Sequence, residues 1–350
     1  MLDLTRATHP SHVYQYQPHL LCSPGRLDSG SLEAGLGPRI HDTFAEAAIS
    51  GWLANKEDAN DVVLYVADDQ DSLTSVATPW TRRCIRQADL VLFVAMAHVH
   101  PGPGEPLSPL ETDISSTTNA RQELVILHFD PSADYMPTDT KDFLASRRVQ
   151  RHHHLRVHTD EAGLLHDRSN VHSDFARLGR WLTGRSVGLV LGGGGARGCS
   201  HLGVMNALEL ANVPVDLVGG TSIGSFMGSI RSGTTNYKKT KERGRAIGNI
   251  LGSYWAYLKD LTLPYVSFFS GSGMNNELQL LYGADVCIED LWLPFYAVTT
   301  SVNHPSQVPH SITFAADRLV WSNLINVRAT YRISFYTIAA IVRVCLCRTQ

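Results

Sequence analysis

The sequence lacks a concentration of charge of one sign. Its 350 residues include 30 lysines and arginines and 33 aspartates and glutamates, so the formal net charge is −3. Proteins dedicated to nucleic-acid binding carry a concentrated basic surface, and this balance therefore argues against a nucleic-acid partner. Hydrophobic residues make up 43% of the chain and charged residues 18%, as is ordinary for a globular protein with room for a large core.

Cysteine is scarce, and its spacing fits neither a zinc site nor a disulfide framework. This usage is typical of a reducing compartment in which thiols pack as small apolar groups. The six positions are Cys22, Cys84, Cys199, Cys287, Cys345 and Cys347.

The histidine run at residues 151–158 is the other candidate for a metal site. Adjacent imidazoles point in different directions, and neither a carboxylate nor a cysteine lies nearby at ligand spacing. The run therefore predicts a surface strand or loop, and we expect neither a metal nor a cofactor.

The chain also lacks the apolar segments that targeting and membrane insertion require. Residues 1–40 show no basic region followed by an apolar one, so no signal peptide is expected. The apolar tail Tyr331–Cys347 is interrupted by Arg332 and Arg343 and is shorter than the roughly 20 residues of a membrane span. No transmembrane helix is expected.

What the sequence does contain is a Gly-x-Ser-x-Gly turn, Gly220-Thr221-Ser222-Ile223-Gly224. Residues 215–218 predict a short buried strand before it, and residues 223–230 predict a helix after it. Glycines on both sides allow a sharp turn that leaves the Ser222 hydroxyl exposed above a helix N-terminus, which is the setting of a nucleophile elbow. The alternative is a tight strand-to-helix turn that a serine merely caps.

A second glycine-rich turn, Gly192–Gly198, lies upstream between a predicted strand at residues 187–191 and a helix. That helix is expected to place Val204, Leu208 and Ala211 on one face. Four consecutive glycines leave their amides uncovered, so the N–H groups can converge on an anion.

Two uses of these amides compete. Gly193-x-Gly195-x-x-Gly198 matches the dinucleotide fingerprint, with Asp216 as the acidic ribose ligand. However, Asp216 lies inside the next predicted strand rather than at its carboxyl end, and the fingerprint leaves the serine turn unexplained. An oxyanion hole explains both turns and is favoured. No lysine follows the glycines, which argues against a nucleotide P-loop.

These turns resemble those of the patatin-like phospholipases, and more narrowly those of the neuropathy target esterase group of lysophospholipases. The likeness extends from about residue 41 to 300. It implies an α/β fold: a three-layer sandwich with a mainly parallel sheet, here incomplete at its C-terminal end, preceded by a smaller α/β segment. Besides the two turns, the likeness rests on Thr78–Asp89, His172–Leu178 and Ile288–Pro294.

The resemblance also implies roles for individual residues. Ser222 is the expected nucleophile, and Gly220 and Gly224 shape its elbow. The amides of Gly193, Gly194 and Gly195 are the expected oxyanion hole. Arg197 is expected to orient that loop or to steady nearby negative charge; the alternative is an ordinary solvated side chain.

The family's general base is an aspartate in an Asp-Gly-Gly or Asp-Gly-Ala turn, and no Asp-Gly pair occurs in this chain. A serine without a base is a weak nucleophile at neutral pH, so we expect poor ester hydrolysis. The alternatives are a non-catalytic lipid-binding or regulatory protein and, more weakly, a dinucleotide-binding protein. The aspartates that follow Ser222 are Asp260, Asp285, Asp290 and Asp317, of which Asp317 is the first candidate base.

The resemblance implies phospholipids or lysophospholipids, such as lysophosphatidylcholine, as substrates, and the cytoplasmic side of the endoplasmic reticulum membrane as the location. The basic cluster at residues 238–245 is most simply a solvated face. The alternative is a membrane surface as partner, because aromatic and apolar residues follow the cluster at 255–269.

Four segments are expected along the chain. Residues 1–40 are rich in Pro, Ser, Gly and His and predict a loosely ordered segment. Residues 41–170 form an α/β segment, either an extension of the sheet or a nucleotide-binding-like domain that has lost its site. Residues 171–300 form the patatin-like domain, and residues 301–350 a divergent apolar tail, which suggests truncation or an altered end.

Within the 41–170 segment, apolar runs predict buried parallel strands at residues 62–66, 90–94 and 124–127. Thr78 and Pro79 predict the N-cap and first residue of a helix. A further helix is expected over residues 172–182, ending at Gly184.

Overall fold

The structure is a computed structural model that describes residues 24–37, 45–60, 62–68, 78–97, 109–132, 134–145, 147–158, 170–234, 236–252, 279, 282 and 286–298. The chain divides into two compact units. Among the described residues, the first unit takes in 24–132 and 143–185, and the second takes in 134–142 and 186–298.

The first unit alternates strands and helices, as an α/β segment should. Its strands build two parallel sheets, β1 with β2 and β3-β4-β5 in that order. The helix α5 (Thr140–Leu144) follows β4, and the division between the units falls within it. The elements in chain order are β1 (Pro24–Leu27), α1 (Ser29–Leu36), α2 (Ala45–Asp58), β2 (Val62–Tyr65), α3 (Pro79–Gln87), β3 (Leu90–Met96), α4 (Pro109–Thr117), β4 (Arg121–Phe129), β5 (Arg151–Val157) and α6 (Asp174–Leu182).

The three predicted strands of this unit are confirmed as β2, β3 and β4, but the predicted burial holds only for β4, since β2 and all of β3 except Ala95 are half-buried. The central strand β4 is buried along most of its length, which explains its continuous apolar run. The helix cap is confirmed as well, because the Thr78 hydroxyl oxygen accepts from the Thr81 amide at 3.0 Å and Pro79 occupies the first turn of α3.

The prediction of a loosely ordered segment over residues 1–40 is wrong for residues 24–36. Strand β1 pairs in parallel with β2. The Asp28 side chain then caps α1 by accepting from the Ser31 amide at 2.8 Å. The prediction failed because one short strand and one capping residue change the composition of this proline- and serine-rich region too little to be recognised.

The histidine run is a strand, but it does not lie at the surface as expected. His153 and His154 are both buried in β5. His153 Nε2 lies 2.9 Å from the Glu123 carboxylate, which also accepts from Trp181 Nε1 at 2.9 Å. Burial alone would raise the pKa of Glu123, but the hydrogen bond and charge of His153, together with Trp181, lower that pKa below its ordinary value. Partners from other elements make burial of these polar side chains possible.

The thiols behave partly as expected. Cys84 and Cys287 are buried, and burial raises the pKa of Cys84 to about 12, so this thiol stays neutral. Cys199 is exposed and does not pack as an apolar group. Cys22, Cys345 and Cys347 lie outside the described residues.

Helix α6 is confirmed, with Ser173 as its N-cap, but it belongs to the first unit and not to the patatin-like segment in which the prediction placed it. The reason is a buried ionic contact with β5. The Asp174 carboxylate accepts from Arg156 Nη2 at 2.9 Å and from the Arg156 amide at 3.0 Å, and Arg177 Nη1 lies 3.1 Å away. Leu178 packs into the same cluster as Leu155 of β5.

The second unit carries the glycine-rich turns. Its strands form one parallel sheet in the order β6-β7-β8, and α8 packs against all three strands. Buried residues of this core include Leu191, Val218, Met227 and Phe295. The elements are β6 (Gly188–Leu191), α7 (Ser200–Leu210), β7 (Leu217–Gly220), α8 (Ile223–Gly233), α9 (Tyr237–Gly252) and β8 (Phe295–Ala297).

Two predicted details in this unit shift. The strand expected over residues 215–218 is β7, two residues later, so Asp216 precedes it. On α7, the residues that pack into the core are Leu202, Met205 and Leu208, whereas Ala211 is exposed at the end of the helix. The apolar tail after residue 300 and the aromatic segment 255–269 lie outside the described residues.

We expect Asp174→Asn to destabilise the first unit by about 3–5 kcal/mol, because it leaves the buried Arg177 and the partly buried Arg156 without their carboxylate. Burial would raise the pKa of Asp174, but Arg177 and Arg156 lower it below its ordinary value. Its stabilisation is therefore present above the unfolded pKa of about 3.9 and is lost as the pH falls. Urea titrations at several pH values measure both effects.

The control for this variant is Glu46→Gln, which removes an exposed partner of Arg83. It should cost no more than about 1 kcal/mol. Equal losses for the two variants, or an unchanged acid limb in Asp174→Asn, would contradict the assignment.

Candidate functional site

The register of the second sheet brings the two glycine-rich turns together. Leu191, the last residue of β6, is the partner of Gly220, the last residue of β7. Because the strands are parallel, the chain leaves both at the same edge of the sheet, where ligands of open α/β sheets bind. The Thr221 amide donates to the Leu191 carbonyl at 3.2 Å, which joins the start of one turn to the start of the other.

Glycine is needed where the turns touch. A Cβ on Gly224 would lie 2.2 Å from the Leu191 carbonyl oxygen and 2.7 Å from that of Gly192. A Cβ on Gly220 would lie 2.4 Å from the backbone of Gly224. All three distances are far inside van der Waals contact, so neither Gly220 nor Gly224 can carry a side chain without moving the backbone.

Ser222 lies at the tip of the second turn and is exposed. Its φ of 52° and ψ of −128° lie in a region that residues with side chains rarely adopt, at a typical cost of about 1–3 kcal/mol. Ser222 occupies the N-cap position of α8 without a capping hydrogen bond from its side chain, and its carbonyl accepts from the Ser225 amide at 2.9 Å and from the Ser225 hydroxyl at 2.6 Å. The following helix therefore holds the strained backbone, and the hydroxyl faces outward at a helix N-terminus.

The first turn lies directly beside this serine. Gly193, Gly194 and Gly195 are all exposed, and a Cβ on Gly193 would lie 3.3 Å from the Ser222 Cβ. Within the part of the chain that the structure describes, none of these three amides donates a hydrogen bond. Gly195 has a φ of 56°, the left-handed conformation that glycine adopts at least cost. The predicted oxyanion donors thus lie next to the predicted nucleophile.

Arg197 lies in the short 3₁₀ helix Gly195–Cys199 that links the glycines to α7, and it is exposed. Its amide donates to the Gly194 carbonyl at 3.2 Å, so its backbone closes the turn. Gly198 makes the closest approach of this segment to the elbow, since a Cβ there would lie 2.2 Å from Ile223 Cγ1. The absence of a side chain at Gly198 allows the start of α7 to pack on α8.

One site residue escaped the sequence reasoning. His201, in the first turn of α7, is buried, and its Nε2 lies 2.9 Å from the Gly192 carbonyl oxygen. The only signal in the sequence is that His201, two positions after Cys199, is a polar residue at the start of the helix face that is buried.

The structure does not support Asp216 as the acidic ribose ligand of a dinucleotide site. Asp216 is buried before the amino end of β7, where its Oδ2 accepts from the Val187 amide at 2.9 Å. The glycine turn leaves the carboxyl end of β6, at the opposite edge of the sheet. Asp216 therefore holds two strands together and is not placed to bind a ribose.

Only one of the four downstream aspartates lies among the described residues, and it has a structural role. Asp290 is buried, and its two carboxylate oxygens accept from the Thr140 amide at 3.1 Å and the Cys287 amide at 2.8 Å. Burial raises the pKa of Asp290, against the effect of these hydrogen bonds. This contact ties residues 134–142 to the second unit. Asp260, Asp285 and Asp317 lie outside the described residues.

We expect Gly224→Ala to separate the two turns, because its Cβ overlaps the Leu191 carbonyl and neither partner is a flexible side chain. The cost in stability should be about 1–3 kcal/mol, measured by urea denaturation. Gly203→Ala is the matched control, since nothing lies within 4 Å of a Cβ at this helical position. The control should be neutral or stabilising by up to about 1 kcal/mol, and the reverse order of the two variants would contradict the packing described.

Two family models match the chain. Residues 18–167 match the Neuropathy Target Esterase family P-loop like domain, and residues 189–334 match the patatin-like phospholipase domain. The likeness therefore begins before residue 41 and continues beyond residue 300, so the limits inferred from the motifs were too narrow. No solved structure matches the chain.

Curated relatives give the same result. The human and mouse proteins called patatin-like phospholipase domain-containing protein 6 are 40% identical to this chain over 324 residues, which cover 89% of the chain and 22% of each relative. Neuropathy target esterase sws of Drosophila grimshawi is 36% identical over 301 residues, covering 81% of the chain and 20% of that relative. The chain thus spans about a fifth of the length of these relatives.

In the described residues, every helix is too short or too polar to cross a bilayer. The second unit is an α/β patatin-like sandwich with a parallel sheet. The paired turns, the two domain matches and the identity over most of the chain lead to one conclusion: this chain belongs to the patatin-like phospholipase family, in its neuropathy target esterase group.

Proposed function

We propose that this chain carries the nucleophile and the oxyanion hole of a serine esterase that cleaves acyl esters of phospholipids and lysophospholipids, such as lysophosphatidylcholine. The observation that carries the proposal is the position of Ser222, exposed and strained at a helix N-terminus beside three amides that donate to no other described group. The family supports a lipid esterase in general terms; the substrate and the residue roles are our proposal.

The chemistry follows from this geometry. Ser222 Oγ bonds to the ester carbonyl carbon, and the carbonyl electron pair moves onto oxygen. The amides of Gly193, Gly194 and Gly195 then hold the resulting oxyanion. Collapse of the adduct expels the lipid alcohol, which takes the proton lost by the serine. Water then attacks the acyl-serine, releasing the fatty acid and restoring the hydroxyl, so that ester and water become acid and alcohol.

Electrostatic preorganisation is the main contribution of this site. Backbone donors aimed at a developing oxyanion need no reorganisation during the reaction, and losing one such donor typically costs 10²–10³-fold in rate. The N-terminus of α8 adds partial positive charge next to Ser222. Arg197 lies on the same 3₁₀ helix as Gly195 and adds a nearby cation.

The proton acceptor is the weak point of the site. This chain contains no Asp-Gly pair, and Asp290 is held by two backbone amides. General-base assistance typically contributes about 10²–10⁴-fold. We therefore expect Ser222 to react with strong electrophiles while it turns over ordinary esters slowly.

A fluorophosphonate probe tests this proposal, because its phosphoryl oxygen occupies the oxyanion position and its leaving group needs no protonation by a protein acid. We expect stoichiometric labelling at Ser222, slow hydrolysis of lysophosphatidylcholine, and loss of both in Ser222→Ala. Peptide mapping by mass spectrometry locates the label. Ser116→Ala, which removes an exposed hydroxyl from α4, should label as the unchanged protein does.

Each other outcome is informative. Fast turnover that requires Ser222 would show that a base is present. An unlabelled Ser222 in a protein that still binds lysophospholipid would favour a non-catalytic lipid-binding role. An unlabelled Ser222 with tight NAD binding would favour the dinucleotide alternative.

We further propose that α9 meets an anionic membrane surface. Lys238 and Arg245 are exposed on it, whereas Lys239 Nζ is paired with the Asp134 carboxylate at 2.6 Å. The hydrogen bond and charge of Lys239 lower the pKa of Asp134. Helix α9 also contacts the 3₁₀ helix beside the oxyanion turn, so its exposed cations lie on the element next to the site. The cytoplasmic face of the endoplasmic reticulum, implied by the family resemblance, stays a prediction.

Reversing both exposed charges, Lys238→Glu with Arg245→Glu, should weaken binding to anionic vesicles at least tenfold, since each basic residue near such a surface contributes about 1 kcal/mol. Vesicle sedimentation at 50 and 200 mM salt measures the effect, which should shrink at the higher salt. The matched control is Arg82→Glu with Arg86→Glu, two exposed arginines of α3. Equal losses in both pairs, or binding that ignores salt, would contradict the proposal.

A further inference from the structure

The buried side of the oxyanion turn rests on His201. His201 as a residue is 7% exposed, and its Nε2 lies 2.9 Å from the Gly192 carbonyl oxygen. A carbonyl oxygen can only accept, so Nε2 carries the proton and donates it. The first turn of α7 thereby holds the peptide group that opens the glycine turn.

That peptide group joins Gly192 to Gly193, and its N–H is the first of the expected oxyanion donors. The bond is trans, so the C=O and the N–H point in opposite directions along one rigid plane. With the oxygen held toward His201 and the protein interior, the Gly193 N–H points to the other side. Gly193 is exposed, and a Cβ on it would lie 3.3 Å from the Ser222 Cβ.

This restraint matters because glycines supply none of their own. Each of the four consecutive glycines has a wide range of accessible backbone angles, so the plane between Gly192 and Gly193 is free to rotate unless something holds one end. The elbow crowds the same carbonyl from a second side, since a Cβ on Gly224 would lie 2.7 Å from the Gly192 oxygen. Packing therefore limits where this oxygen can move, and the His201 hydrogen bond defines its direction.

We propose that His201 is a positioning residue that sets the direction of the Gly193 amide and so assembles the oxyanion hole without touching the substrate. The proposal rests on the function proposed above for Ser222. It makes the acyl-transfer step depend on an Nε2–H donor of the imidazole on the first turn of α7. It also assigns a role to a residue that would otherwise count as an ordinary buried histidine.

Two variants separate positioning from packing. His201→Phe keeps a ring but removes the donor, and His201→Gln keeps an amide donor of similar reach. We expect His201→Phe to lower the rate constant for fluorophosphonate labelling of Ser222 about 10²–10³-fold, as loss of one oxyanion donor does. Binding of lysophosphatidylcholine, measured by titration without turnover, should change less than threefold. His201→Gln should recover labelling to within tenfold of the unchanged protein.

A purely structural role would give a different pattern. It would lower the melting temperature and the fraction of protein that can be labelled while leaving the rate constant of that fraction unchanged, and glutamine would not restore it. His158→Phe, at a histidine whose side chain is 48% exposed in the first unit, is the control for the substitution itself. Its labelling rate should not change. Either the structural pattern or a normal labelling rate in His201→Phe would overturn the proposal.

A spectroscopic measurement tests the role of His201 independently of the reactivity of Ser222. If Ser222 failed to react, only the proposed esterase function would be contradicted. Long-range ¹⁵N–¹H correlation should show His201 as the Nε2-protonated tautomer at pH 7.5. The Gly193 amide resonance should shift in His201→Phe and return toward its original position in His201→Gln. An Nδ1-protonated ring, or a Gly193 resonance that is indifferent to both variants, would overturn the inference.

Discussion

The site depends on backbone-to-backbone contact between two turns that leave neighbouring parallel strands. Leu191 and Gly220 are register partners at the carboxyl ends of β6 and β7, and Gly224 lies against the Leu191 carbonyl with no room for a side chain. This contact fixes the distance between the serine and the glycine amides. Moving the register by even one residue would part them and would turn the Ser222 side of the strand to the other face of the sheet.

The features that the proposed function requires are unevenly represented around this contact. In that proposal, a strained serine at a helix N-terminus and backbone donors that donate to no other described group would supply much of the electrostatic part of an acyl-transfer site. For the proton-accepting part, Asp290 is the one aspartate after Ser222 among the described residues, and its carboxylate already accepts from two backbone amides. A site of this kind stabilises a tetrahedral adduct better than it generates a nucleophile, so trapping reagents and ordinary substrates probe different halves of it.

Prediction from sequence succeeded where the physical cause is local. The strands β2, β3 and β4 follow from continuous apolar runs, and the start of α3 follows from a threonine and a proline in adjacent positions. It failed where partners are distant in sequence. His153 is buried because Glu123 and Trp181 surround it, and α6 joins the first unit because Asp174 meets Arg156. Asp216 was disfavoured as a ribose ligand because it was expected inside a strand, whereas the structure places it before β7, where it accepts from the Val187 amide.

The sequence by itself determined that these turns require glycines, and it placed Ser222, the residue proposed to carry the chemistry, at the centre of the Gly-x-Ser-x-Gly elbow. The motifs in the sequence also identified the family, although the range of residues inferred from them was too narrow. The tertiary structure alone decided that the turns touch, that His201 holds the Gly192 carbonyl, and that Asp290 is already engaged. The physical reason is that local pattern dictates backbone conformation, whereas the direction of a peptide plane and the partner of a buried carboxylate depend on groups that only folding brings together.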